Sequence, residues 1–420
     1  MSSTVPDGWV FCRLDKLVSR FMVPMRDKPK EFSGSIPWVR IEDFDGKYLY
    51  ESKSRRCVDT NTIEAMKLKV YPPGTVLCSC SARLGVCTIA GVDLVSNQTF
   101  IGLVPDSSAV SSEFLFYRML SHADDLQRLS SGTTIAYLSR EKFEEFEVLA
   151  PPLPEQQKIA AILSSVDDVV EKTRAQIDKL KDLKTGMMQE LLTKGIEHTA
   201  FKDSPVGRIP EGWDCIRLGD VLDFKNGVNK GKEAFGHGVP IISYKNVYSG
   251  GGIDDSDLNS LVDMNERELD RFRVKFGDVF FTRTSETPDE IGFANVYLGS
   301  RDDVVFNGFV IRGRQNAKLF DPSFLKYAFQ SNSVRKQMMD NSKFTTRAGI
   351  SGESLSRVLI AIPDIAEQEK IANALGTIDS MISSSNEKLK SVMSLKRALM
   401  QDLLTGKVRV NVDNKENAVA

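Results

Sequence analysis

Apolar residues recur in alternating steps of four and three through two widely separated stretches of the chain. In the first, positions 159, 163, 166, 170, 173, 177, 180, 184, 187 and 191 hold Ile, Leu, Val, Val, Thr, Ile, Leu, Lys, Met and Leu. From Ile371 to Leu403 the same spacing carries Ile, Leu, Ile, Ile, Ser, Leu, Val, Lys, Leu and Leu. A seam of 3.5-residue period sustained this long predicts coiled coil. Pro154 suits a first helical turn, and Gly195 and Gly406 stand just past the last apolar residues, where a C-terminal stop is expected. Residues 155–193, if helical throughout, span roughly 58 Å at about 1.5 Å per residue.

Between these stretches the pattern shortens to runs of strand length. Val76–Cys80 and Val279–Thr282 are apolar runs opened by turn residues. Ile36–Val39 and Val239–Ile242 occupy similar places in the two halves. Val304–Phe306 and Phe309–Ile311 flank Asn307-Gly308, a hairpin-turn dipeptide, and predict a hairpin. Segments 113–122 and 323–339 read as helices. The fold class expected is α+β: two globular domains with small irregular β-sheets, each followed by a long α-helix.

The halves are related by duplication. Glu155-Gln156-Gln157-Lys158-Ile159-Ala160 returns as Glu367-Gln368-Glu369-Lys370-Ile371-Ala372, an offset of 212. The same offset pairs Asp167 with Asp379, Lys184 with Lys396, Pro151 with Pro363, and Thr133-Thr134 with Thr345-Thr346. Pro6-Asp7-Gly8-Trp9 and Arg13-Leu14 return as Pro210-Glu211-Gly212-Trp213 and Arg217-Leu218 at an offset of 204. Each helix has a mostly polar outer face, and its economical partner is the other copy. The two are expected to pair as an antiparallel coiled coil with pseudo-two-fold symmetry, the seam lysines and Thr173 with Ser385 setting register. The domains expected are 1–153, a helix at 154–196, 197–365, a helix at 366–407, and a polar, disordered tail at 408–420.

Composition narrows the function classes. A chain of 420 residues with 41% hydrophobic and 27% charged residues has the profile of a soluble multi-domain protein. No window approaches the run of about 18 apolar residues a membrane helix needs, and the first residues lack a secretory pattern. Six scattered cysteines fit reduced thiols, so a cytoplasmic location is expected. Fifty-five Lys+Arg against 57 Asp+Glu leaves nucleic acid open, because phosphate binding needs only a local basic face. Gly227–Glu233 lacks the spacing and hydroxyl of a phosphate-binding loop, and no Asp/Asn-Pro-Pro-Tyr/Phe tetrapeptide is present to hold an adenine for methylation. Three dispersed histidines give no metal-ligand spacing, and Cys78, Cys80 and Cys87 read as core residues of a strand pair. No catalytic residue and no metal ligand is assigned.

The order of parts, two mixed domains each leading into a Pro-Pro-Leu-Pro-Glu-Gln-Gln-Lys-Ile-Ala-type helix entrance, resembles the specificity subunit of type I restriction–modification systems. Gly74–Leu77, Arg83-Leu84-Gly85, Asn97-Gln98-Thr99-Phe100, Gly132–Thr134, Gly277-Asp278-Val279 and Gly349-Ile350 are similar to recurring landmarks of that family. The resemblance implies two target-recognition domains, each reading one half of a split, asymmetric DNA site. It implies helices that act as a ruler, two docked methyltransferase subunits, and ATP-dependent restriction subunits in a larger complex. S-adenosylmethionine, ATP and magnesium would then bind those partners, and this chain would be non-catalytic. A recognition module of another methyltransferase system, and a coiled-coil scaffold that binds no DNA, stay open as alternatives.

The basic, turn-rich positions are the DNA-contact candidates. In the first half these are Arg26, Lys28, Lys30, Lys53, Arg55, Arg56 and Arg83. In the second they are Lys225, Asn226, Asn229, Lys230, Lys232, Arg283, Arg335, Lys343 and Arg347. Arg and Asn can make bidentate contacts with guanine and adenine, and Lys225–Lys232 reads as a glycine-punctuated basic loop suited to phosphate or groove contact.

Overall fold

The computed structural model of the chain describes residues 5–23, 28–81, 83–130 and 137–412. The duplicated Thr133-Thr134 pair and Arg26 lie outside the described residues. Two compact units result, residues 1–174 with 388–420, and residues 175–387. Each unit therefore holds one globular part, the front of one long helix and the back of the other.

The first long helix runs from Leu153 to Lys194 and the second from Ile365 to Leu404. Each stops where a glycine takes positive φ, Gly195 at 66° and Gly406 at 71°, a conformation that ends a helix and that a Cβ would strain. The seam is buried at Ile159, Leu163, Val170, Ile177 and Leu180, and again at Ile371, Leu375, Ile378 and Leu403. Two lysines interrupt it. In the first unit Lys396 meets Asp167 at 2.5 Å, and in the second Lys184 meets Asp379 at 2.6 Å. Climbing from 167 to 184 on one helix means descending from 396 to 379 on the other, so the pairing is antiparallel as expected. The lysines serve as register pins by ion pairing. Thr173 does not share that role, since its hydroxyl donates to the Val169 carbonyl of its own helix.

The globular parts repeat one design. In the first unit a sheet orders Val18–Met22, Phe100–Pro105, Val76–Ser79 and Cys87–Ala90, with Tyr48–Leu49 added parallel at the edge. The second unit orders Leu222–Asn226, Val310–Gln315, Val279–Thr282 and Ala294–Val296 in the same sequence, all antiparallel. A second, smaller sheet pairs Ile36–Val39 parallel with Leu94–Ser96 in one unit, and Phe235–Ile242 parallel with Val305–Phe306 in the other. The runs are almost wholly apolar because both faces are covered. Val76, Leu77 and Cys78, and Val279, Phe280 and Phe281, are all fully buried. Cys78, Cys80 and Cys87 belong to this core, Cys87 and Cys78 touching through sulfur at 3.3 Å.

Three expectations change. Val305–Phe306 and Val310–Gln315 do not form a hairpin. The Val310 N–H closes a turn on the Asn307 carbonyl at 3.1 Å, but the two arms enter different sheets. Gly308 lacks the positive φ that a tight primed turn requires. The helix read at 323–339 breaks into Pro322–Ala328 and Asn332–Asp340, with the Gln330 and Ser331 amides turning between them. The tail is ordered through Val412, because Arg409 pairs with Glu155 at 2.8 Å and bonds the Asp7 carbonyl.

Polar anchors seat each long helix on its own domain, and they too are duplicated. Gln156 donates to the Ala109 and Pro151 carbonyls at 2.9 Å, and Gln368 to those of Leu319 and Pro363 at 2.9 and 3.0 Å. The Trp9 indole donates to Glu155 at 3.0 Å, and that of Trp213 to Glu367 at 2.9 Å. The Tyr117 hydroxyl donates to Asp167, and the Tyr327 hydroxyl to Asp379, both at 2.6 Å. Arg118, buried and with its pKa drawn down to about 10 by that burial, donates to the Leu404 carbonyl at 2.7 Å and caps the end of the second helix.

Burial alone would raise the Asp379 pKa. Hydrogen bonds from Lys184 and Tyr327, with the charges of Lys184 and Lys326, outweigh it and hold the carboxyl below its usual range. A carboxyl depressed in the folded state stabilises above its unfolded pKa, near 4, and loses that stabilisation as pH falls further. Lys184→Met should lower stability at pH 7 by about 1–3 kcal/mol, discounted for the pair's partial exposure. It should also flatten the loss of melting temperature between pH 5 and pH 2. Thermal melts across that range check both, and an unchanged acid limb would remove the pair from its assigned role.

Candidate nucleic-acid interface

In each unit three segments meet at one edge of the main sheet, held by equivalent backbone bonds. In the first unit the Cys80 N–H donates to the Thr99 carbonyl, and the Leu138 N–H to the Cys80 carbonyl, both at 2.9 Å. In the second the Arg283 N–H donates to the Phe309 carbonyl at 3.1 Å, and the Ile350 N–H to the Arg283 carbonyl at 3.0 Å. The segments are thus the stretch after the central strand, the turn at Asn97 or Asn307, and the stretch before Leu138 or Ile350. Ser81 bridges Tyr137, and Thr284–Ser285 pairs with Ala348–Gly349. The backbone is the same construction twice; the side chains on it differ. Arg83, exposed, follows in the first unit, and Arg283, Lys343 and Arg347, all exposed, frame the second.

The remaining candidates divide by whether the fold already employs them. Lys28 and Arg56 lie over the Phe32 ring at 5.9 and 4.9 Å, leaving their charges near solvent. Lys30 and Arg55 are exposed, and Lys53 reaches Asp45 at 3.3 Å. Lys28 and Arg56 thereby lie beside the smaller sheet of the first unit, against whose core Phe32 packs. In the second unit Lys225 is on the Leu222–Asn226 strand, so the basic loop is confined to 227–232. Asn226, at the end of that strand, and Asn229 and Lys232, in the loop, are exposed. Lys230 is not free, since it bonds the Glu268 carboxylate at 2.7 Å and the Asp263 carbonyl at 2.6 Å. Arg335 is likewise engaged, stacked on Phe293 at 4.7 Å with its guanidinium on the Asp289 carbonyl. Arg347 makes an exposed pair with Glu286 at 3.4 Å, which leaves it available at little cost.

One basic cluster escaped the sequence reading. Lys225 is the register partner of Arg312 across two strands, and Arg271 approaches on the preceding helix, its carbonyl accepting from Lys225 at 2.6 Å. Burial first, then the charges of Arg312, Arg271 and Arg314, lower the Lys225 pKa. Asp278 neutralises Arg314 at 2.6 Å. Arg312, 7% exposed, has an Nε with no partner among the described residues and a pKa lowered chiefly by burial. The signal was present as Arg312-Gly313-Arg314 in an apolar strand, but only pairing brings Lys225 and Arg271 to it. Among the described residues no group of three or more His, Cys, Asp or Glu could hold a metal ion.

Comparison with known proteins agrees with this architecture. The profile described as type I restriction modification DNA specificity domain matches residues 6–182 and again 210–393. The chain is 29% identical over 414 residues to the type I restriction enzyme MjaVIII specificity subunit of Methanocaldococcus jannaschii, covering 97% of this chain and 94% of that protein. It is 22% identical over 424 residues to the EcoKI specificity subunit of Escherichia coli, covering 95% and 88%. A crystal structure of a type I restriction–modification S subunit from M. genitalium superposes with a TM-score of 0.57 at 14% identity, over 96% of this chain and 98% of that one. A chain from a structural study of the assembly and conformational transition of the type I system also gives 0.57, at 19% identity, over 96% and 100%. Two matching recognition scaffolds, each ending in a long helix that pairs antiparallel with its counterpart, place the chain in the type I restriction–modification DNA specificity family, as a specificity subunit that recognises DNA sequence.

Proposed function

We propose that this chain reads a bipartite, asymmetric DNA site, one half with each globular part, and docks two methyltransferase subunits, with restriction subunits joining a larger cytoplasmic complex. The observation that carries the reading is the three-segment edge, built twice from equivalent backbone bonds and furnished with different side chains. Identical scaffolds with unlike edges suit two unlike half-sites. The chain itself is non-catalytic in this reading; S-adenosylmethionine, ATP and magnesium belong to the partners, consistent with relatives named as specificity subunits. No helix among the described residues is long and apolar enough to cross a membrane. Arg271, exposed beside Lys225, suits phosphate contact, which positions a duplex without reading it.

The long helices act as the ruler. Matched insertions of seven residues within 165–190 and 377–402 lengthen each rod by about 10 Å, at 1.5 Å per residue. At about 3.4 Å per base step the spacer should grow by roughly three base pairs, with both half-sites unaltered. Methylome sequencing of a host carrying the altered chain and its partners reads this directly. Changed half-site bases with the old spacer would refute the ruler.

Charge reversal separates surface phosphate contacts from structural lysines. Lys232→Glu should weaken binding of the assembled complex and reduce the salt slope of log K by about 1, with melting unaffected. Lys230→Glu should lower the melting temperature as well, because it sets two carboxylates together at Glu268. Anisotropy titrations from 50 to 200 mM salt, alongside melts, decide the matter; retention of affinity and slope in both variants would dismiss the 227–232 loop as a contact.

A further inference from the structure

Each unit packs the end of a long helix against a short one, and only the first unit supplies a cation there. Ser112–Ser121 in the first unit matches Pro322–Ala328 in the second at an offset of 210. Ser111 and Asp321 cap the two by accepting from Phe114 and Phe324, and Tyr117 and Tyr327 reach the equivalent aspartates. The next residue is Arg118 in one and Ala328 in the other, both buried. Arg118 donates to the Leu404 carbonyl in the last turn of the long helix that ends there. That carbonyl needs a donor, because the amide four residues on, Val408, donates to the Asp402 carbonyl at 3.2 Å instead. The equivalent carbonyl, that of Leu192, has the same need, since the Ile196 amide donates to Glu367 at 2.8 Å. Ala328 has no group with which to meet it.

Leu192 forms part of the wall of a cleft of about 240 Å³. Two further changes of size coincide with it: Thr185 and Asn332 on its walls stand where the first unit has Arg397 and His122. None of its lining residues bears a charge. Three of its donors are already committed. The Thr185 hydroxyl donates to the Lys181 carbonyl at 2.9 Å, that of Thr193 to Gln189, and the Gln330 amide to Lys326 at 3.0 Å. Their oxygens remain as acceptors, at the negative end of a helix of 42 residues. An uncharged cleft rich in acceptors suits a guanidinium, which is weakly hydrated and carries five donors. A lysine ammonium or a metal ion holds its water more strongly and would call for a carboxylate.

We propose that this cleft seats an arginine side chain of a docked methyltransferase subunit, in the place that Arg118 fills in the first unit. The inference rests on the proposed docking of two such subunits and gives one of them a defined anchor. Because the chain fills the counterpart with its own arginine, two copies of one partner meet unlike seats. The copy bound at the second unit is the more tightly held.

The first measurement uses the full chain alone. Ethylguanidinium chloride at millimolar concentration should raise its melting temperature relative to ethylammonium chloride, and Ala328→Arg should abolish that difference by filling the cleft. Arg118→Ala should melt lower and regain part of the loss with ethylguanidinium. The second measurement titrates the full chain with its methylating subunit by calorimetry. The unaltered chain should give two binding steps about tenfold or more apart, the worth of one hydrogen bond to a charged group. Ala328→Arg should weaken the tighter step until it matches the other. Thr185→Arg should weaken the same step by setting a like charge at the mouth; residue 185 is exposed, so the result does not hinge on a buried substitution. Equal steps with the unaltered chain, no thermal response to ethylguanidinium, or equal loss at both steps overturns the inference. A thermal response with assembly unchanged in both variants overturns it too, leaving a guanidinium site without a partner. If the unaltered chain captures no methylating subunit at all, the docking proposal itself fails and this anchor with it.

Discussion

A lysine in the middle of an apolar seam needs an anion, and each unit supplies one from the facing helix. Lys184 with Asp379, and Lys396 with Asp167, are also tied to a tyrosine of the adjoining globular part, Tyr327 or Tyr117. Each lysine further lies over that tyrosine ring, at 5.6 and 5.7 Å. A one-residue slip of the helices would separate both pairs at once and leave half-buried charges without partners, which costs far more than an exposed pair is worth. The same interaction thus fixes the helix register and joins the rods to the globular parts. Everything proposed about a set spacing between half-sites presupposes it.

Around the helix entrances, conservation of contact type coexists with change of residue. Glu155 and Glu367 both accept from a tryptophan, but Arg409 completes the first set and His198, at 2.9 Å, completes the second. The requirement is a donor reaching the carboxylate from just beyond the end of the opposite helix, and more than one side chain meets it. In the first unit this ties the two ends of the chain, Trp9 and Arg409, to one glutamate. That holds residues 408–412 in place, with Val410 packed on the core of the first unit.

At the edge proposed to meet DNA the logic runs the other way. Backbone bonds are kept and side chains are free, as a scaffold that presents different readers requires. The Asx turn after the parallel strand shows this in miniature: the asparagine braces the turn in both units, while the next two residues differ between them. Lys230 and Arg335 have partners within the fold, although in sequence they looked equal to Lys232 and Arg347.

Periodicity and repetition determined a great deal by themselves. The two rods, their stop at glycine, the duplicated entrance and the strand runs at 76–79 and 279–282 follow from spacing, because a helix or strand buries a face whose period is written locally. The family resemblance also rested on the order of such local pieces. What only the tertiary structure decided is what depends on partners distant in sequence. Asn307-Gly308 looked like a hairpin because a dipeptide cannot report that its arms join different sheets. Lys225, Arg271 and Arg312 look unrelated until strand pairing sets them side by side. Lys230 looked available until the helix bearing Glu268 packed against it. Local pattern specifies which face is buried; which charge meets which is settled only when the chain closes on itself.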